Sequence, residues 1–91
     1  MKFVLDTKYS EAELEFIKKY NCEIISEIKL SKFKFSENET PHRILKYCGT
    51  YVAEICDDEN NELVWAVLSK WKGVYHFSAI YGTLDMLVQS L

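Results

Sequence analysis

From Thr50 to Tyr81 the chain alternates residue by residue, and the alternation breaks at only two places. Successive side chains of a strand point to opposite sides, so every position in such a run can be assigned a face. A two-residue turn at Lys72-Gly73, where glycine supplies the positive φ, and a four-residue turn at Asp58-Glu59-Asn60-Asn61 predict an antiparallel meander over residues 50–57, 62–71 and 74–81. One face then carries Tyr51, Ala53, Ile55, Val64, Ala66, Leu68, Lys70, Tyr75, Phe77, Ala79 and Tyr81, with Ala66 opposite Ala79. It is the cleaner apolar face and is expected to receive the helices. The other collects Val52, Glu54, Cys56, Leu63, Trp65, Val67, Ser69, Trp71, Val74, His76, Ser78 and Ile80. Two tryptophans mixed with a carboxylate, an imidazole and hydroxyls suggest a face that binds something.

The first half of the chain reads less regularly. Lys2 to Asp6 is a short strand. Ser10 followed by Glu13 forms a capping box, and Ala12, Leu14, Phe16, Ile17 and Tyr20 give the helix that follows an apolar stripe ending near Asn21. Glu23 to Phe35 reads as a long strand with a bulge or bend near Ser31-Lys32, since Ile24, Ile28 and Leu30 share one parity and Phe33 and Phe35 the other; two short strands are the alternative. Ser36 to Glu39 is expected to be a loop. Thr40-Pro41 opens and Gly49 closes a short helix with Ile44, Leu45 and Cys48 inward. Thr83 caps a last helix whose Leu84, Leu87, Val88 and Leu91 recur at helical spacing. The order is β-α-β-α-β-β-β-α: a single α+β domain over residues 1–91, its antiparallel C-terminal meander packed by helices on one face.

Composition narrows the classes. The chain is 48% hydrophobic and 27% charged, which suits a globular domain and argues against long disorder. No apolar run reaches the roughly 18 residues of a membrane span, and the amino terminus does not read as a signal peptide, so a cytoplasmic protein without membrane contact is expected. Cys22, Cys48 and Cys56 match neither a zinc spacing nor an even disulfide framework, and no cofactor motif is present. A net charge of −3 disfavours general nucleic-acid binding. Acids nevertheless cluster at Glu11, Glu13 and Glu15 and again at Asp57, Asp58, Glu59 and Glu62, while Lys29, Lys32 and Lys34 gather elsewhere, so the molecule is expected to be electrically lopsided. Ten lysines stand beside one arginine, Arg43. Codon usage in a low-GC bacterium or one of its phages or mobile elements accounts for that ratio.

Candidate site residues come from the mixed face: Trp65, Trp71, His76, Ser69, Ser78 and Glu54. Trp65 and Trp71 lie on one face of one strand, about 20 Å apart at the usual rise, too far to sandwich one ring between them. Tryptophan is, however, enriched at protein-interface hot spots. His76 and Glu54 titrate in principle, but neither has the partners a nucleophile or acid–base pair requires. The segment Lys32-Phe33-Lys34-Phe35 alternates in the manner of RNA-binding strands, without a second strand of the same kind in the sequence. The expectation is a non-enzymatic protein-binding module, an inhibitor or regulator. A small-ligand or nucleotide-binding domain using the aromatic face around Trp65, Trp71 and His76 is the alternative. Because the mixed face looks too apolar to stay open, it is also expected to be covered by a homodimer contact or a partner.

Overall fold

A computed structural model describes residues 2–35, 40–57, 59 and 61–91, with the side chain of residue 57 left aside. The expected loop at Ser36–Glu39, and Asp58 and Asn60 of the acidic turn, lie outside the described residues. The elements run β1 (Lys2–Val4), α1 (Glu11–Lys19), β2 (Glu23–Ile25), β3 (Glu27–Lys29), a 3-10 turn (Leu30–Lys32), β4 (Arg43–Tyr47), β5 (Thr50–Asp57), β6 (Glu62–Trp71), β7 (Val74–Tyr81) and α2 (Leu84–Ser90). The α+β class and the three meander strands are as the alternation predicts. Among the described residues no helix is long and apolar enough to cross a membrane.

Five strands form one antiparallel sheet in the order β2-β4-β5-β6-β7, and β1 pairs with β3 in a second, two-stranded sheet. The chain between Glu23 and Lys29 therefore serves both sheets. It pairs with β4 through Ile25, breaks at Ser26, and crosses under the large sheet as β3. The phase change seen in the sequence is real, but its cause is a strand divided between two sheets at Ser26, followed by a 3-10 turn at Leu30–Lys32, instead of a bulge at Ser31-Lys32.

The helix expected between Thr40 and Gly49 is strand β4. Cys48 and Gly49 have φ values of 49° and 81°, and Lys72 and Gly73 have 51° and 81°. Both pairs sit between directly paired residues, Tyr47 with Thr50 and Trp71 with Val74. Two positive-φ residues in a two-residue connection match the twist of antiparallel strands. A helix terminus also uses glycine at positive φ, so Gly49 fits both structures; here it closes the connection between β4 and β5. With β4 in the sheet, Ile44 and Leu45 point to opposite faces and each is fully buried.

Helices gather on one side of the large sheet, but on the mixed face. Ile17 of α1 and Leu87 and Val88 of α2 pack with Leu45, Val52, Trp65 and Val67. The opposite face, read as the helix-bearing one, is covered by Leu5, Ile28 and Phe33, which pack on Ile44, Ala53 and Leu68. The result is three layers: helices, a five-stranded sheet, and the small sheet. Register departs from expectation at one residue. From Trp71–Val74 to Leu68–Phe77 the pairing follows the Lys72-Gly73 turn, but Val67 pairs with Ala79 and Ala66 with Ile80. Ser78 is thus an extra residue, a β-bulge that reverses the faces of everything after it. Ala79 and Tyr81 turn to the helix side, and Ile80 turns to the other, where it is 62% exposed.

Candidate functional site

The mixed face divides into a covered centre and an open end. At the centre, β4, β5 and β6 place Arg43, Glu54 and Trp65 in one row, with Tyr81 of β7 beyond them. Trp65 and Glu54 are only 6% and 5% exposed. The Glu54 carboxylate accepts from Arg43 Nε at 2.8 Å and Arg43 Nη2 at 2.5 Å. The same Nη2 donates to Glu13 Oε2 at 2.7 Å, and Nη1 donates to the Lys8 carbonyl at 3.1 Å. Its guanidinium also lies 4.4 Å from the Tyr9 ring centre and 6.0 Å from that of Trp65. Only a planar five-donor fork reaches a buried carboxylate, a helix carboxylate and a carbonyl together, so lysine cannot stand in here. Glu13 also closes the capping box, accepting from the Ser10 amide at 2.9 Å. The network pins the first turn of α1 onto the sheet, and its contact with Arg43 holds the Glu13 carboxyl below the ordinary range.

Tyr9 lies above this network with its hydroxyl buried and without a hydrogen-bond partner among the described residues. Burial pushes its phenol up to about 12; the Arg43 charge opposes the rise, while Glu54, Glu13 and Asp6 add to it. A pKa raised above the unfolded value of about 10 means that the fold favours the neutral phenol. That contribution is whole below pH 10 and is lost as pH rises from about 10 towards 12. Tyr9→Phe is therefore expected to flatten this part of the alkaline unfolding curve. At neutral pH it should leave stability within about 0.5 kcal/mol, since no hydrogen bond to the described residues is removed. Urea melts at pH 7 and across pH 10–12 test both statements; an unchanged alkaline limb would refute the first.

The open end is the tip of the β6–β7 hairpin. Trp71 is 66% exposed there, beside Lys72, whose Nζ lies 5.8 Å from the ring centre. Ser69 is paired with the half-buried His76. Ser69 Oγ donates to Ser78 Oγ at 2.8 Å, and Ser78 Oγ donates to the Val67 carbonyl at 3.2 Å, across the bulge. The six expected site residues thus separate. Trp71, His76, Ser69 and Ser78 lie towards the tip, while Trp65 and Glu54 are almost wholly buried on the helix side, Trp65 lining a cleft between α1 and the start of α2 with Ala12, Phe16 and Leu84. The covering also removes the argument for a homodimer through the centre of this face, because the chain's own helices occupy it.

Neither Ser69 nor Ser78 is set up as a nucleophile. Both serine protons are committed to the chain ending on Val67, whereas a nucleophile must pass its proton to a base. Burial and the neighbouring Cys48 push the Cys22 thiol up, away from the thiolate that reactivity requires. Among the described residues no three of His, Cys, Asp and Glu gather to hold a metal. Arg43, Glu13 and Tyr9 were not singled out from the sequence, although one signal was available: the sole arginine of a lysine-rich chain occupies the one position that needs a fork. Comparison with known protein families, curated proteins and solved structures returned no match to this chain.

Proposed function

We propose that the protein is a non-enzymatic protein-binding module, an inhibitor or regulator acting by occupation, and that it engages its partner through the β6–β7 hairpin tip with Trp71 as anchor. The exposure of Trp71 carries this reading. A tryptophan two-thirds open to solvent on a tight, glycine-closed turn offers a large rigid contact surface at small cost in conformational freedom. Val74, paired with Trp71, widens the apolar patch, and Ser69 and His76 supply polar contacts at its margin. Trp65 and Glu54 act in this reading as support for the sheet and not as contacts.

The test is capture from a low-GC bacterial lysate on immobilised protein, followed by titration of the captured partner. Trp71→Glu is expected to weaken that complex by at least ~2 kcal/mol, the cost typical of a hot spot. Its melting temperature should stay close to the parent's, because the side chain is two-thirds exposed. A complex of equal strength with the variant would refute the assignment of the tip.

A further inference from the structure

The cleft beside Trp65 joins an apolar lining to unmatched negative charge. Ala12 and Phe16 of α1, Leu84 at the start of α2 and Trp65 of β6 line it together with Glu13 and Asp85, and it encloses about 220 Å³. Trp65 is 6% exposed and Phe16 half-buried, whereas Asp85 is exposed, so the aromatic rings lie at the closed end and the aspartate at the mouth. The α1 wall is held in place, because Glu13 Oε2 accepts from Arg43 Nη2 at 2.7 Å and Oε1 from the Ser10 amide at 2.9 Å. Each of these oxygens keeps a second lone pair for a further donor. Asp85 forms no ion pair among the described residues. Glu13, Glu54 and Asp85 thus bring three carboxylates to the one guanidinium of Arg43, and two negative charges stay unmatched.

We propose that this cleft binds an organic cation carried on a short apolar stem, the chemistry of an arginine or lysine side chain and equally of a free alkylguanidine or alkylamine. The stem lies against Phe16, Leu84 and Trp65, and the charged head meets Asp85 at the mouth, with Glu13 beside it. Long basic side chains bind in this way, burying the methylene stem while the head stays wet. The charge selects the sign of the guest, since an anion would face carboxylates on both walls. The volume selects its size. Pockets for drug-sized ligands run to roughly 300–1,000 Å³, so this cleft takes a guest of side-chain dimensions and not a nucleotide. Because Arg43 and the capping box already fix Glu13, binding costs little ordering on the α1 side. Trp71 lies about 20 Å further along the same strand at the usual rise. The cleft is therefore separate from the hairpin tip, and the proposal does not depend on the protein-binding reading.

Heteronuclear NMR titration at constant low ionic strength tests it, with n-butylguanidinium and the capped peptide Gly-Gly-Arg-Gly-Gly as probes. n-Butylguanidinium is expected to shift the indole N–H of Trp65 and the backbone amides of Ala12, Phe16 and Leu84, saturating in the low millimolar range that so few atoms can supply. n-Butylurea, which has the same shape without the charge, should bind at least about fivefold more weakly. Asp85→Asn should weaken the cation at least about threefold at an unchanged melting temperature and leave n-butylurea as it was. Trp71→Ala should alter neither. Saturable shifts from the peptide at the same residues would support a polypeptide as the source of the cation, and shifts from n-butylguanidinium alone would support a free amine or guanidine. Absence of shifts at these residues up to about 20 mM cation, well above the expected dissociation constant, would overturn the proposal. So would equal affinity for n-butylurea, or an unaltered affinity for the cation in Asp85→Asn.

Discussion

Arg43→Ala is expected to destabilise the protein by about 3–5 kcal/mol, because it strands the Glu54 carboxylate in a 5%-exposed site without its partner. That is a large share of the roughly 5–15 kcal/mol available to a small domain, so the variant should be partly unfolded at 37 °C. Arg43→Lys should recover only part of the loss, since an ammonium cannot hold Glu54, Glu13 and the Lys8 carbonyl at once. Replacing both members by apolar residues, Arg43→Met with Glu54→Leu, should cost much less than Arg43→Ala alone. The acid limb carries the same signature. Glu13, with its pKa lowered by Arg43, contributes stability that is present above the unfolded value near 4.5 and is lost as pH falls through its lower folded value. In Arg43→Ala that part of the acid transition should shrink, the remainder coming from the hydrogen bonds of Ser10 to Glu13. Urea denaturation at pH 7 and pH 3–5 measures these effects; a loss below about 1 kcal/mol for Arg43→Ala would refute the stapling role.

Ile44→Ala and Leu45→Ala are each expected to cost about 2–5 kcal/mol, the range for emptying a fully buried aliphatic site. Neighbouring residues rarely both carry so much. Here they do because β4 is central to the sheet: Leu45 fills the helix-side core and Ile44 the core beneath the small sheet. Equilibrium unfolding of the two single variants measures the costs. A cost under about 1 kcal/mol at either position would contradict a two-sided core.

The legible parts of this fold are those where one local rule decides. Ser10 with Glu13 specifies a helix start, and the box is formed as read, with the Glu13 amide donating to Ser10 Oγ at 3.2 Å. Lys72-Gly73 specifies a tight hairpin, and the strands on both sides have the bounds that alternation gives them. The errors fall where two structures share one signal. Gly49 suits a helix end or a two-residue turn equally. Ile44-Leu45 reads as a stripe on a helix or as a strand buried on both faces, and periodicity cannot separate the two in so short a run. Ser78 gives no warning of a bulge, and one unseen residue was enough to misplace Ala79, Ile80 and Tyr81. Face polarity misled for a different reason. The half-polar face is the one the helices cover, because its carboxylate is neutralised by Arg43, a partner two strands from Trp65 and invisible to any pattern on β6 alone.

The division of residues 23–29 between two sheets has a consequence for the order in which the molecule assembles. The pairings of β4 through β7 close loops of two or four residues, which form quickly and at little entropic cost. The β2–β4 pairing and the β1–β3 pairing each join segments about twenty residues or more apart. The meander is therefore the expected nucleus, and the crossing segment arrives late, carrying Ile28 and Phe33 to a sheet face that stands open until then. Up to that moment Ile44, Ala53 and Leu68 form an uncovered apolar surface. The interval before β3 docks is when the folding chain is most exposed to aggregation.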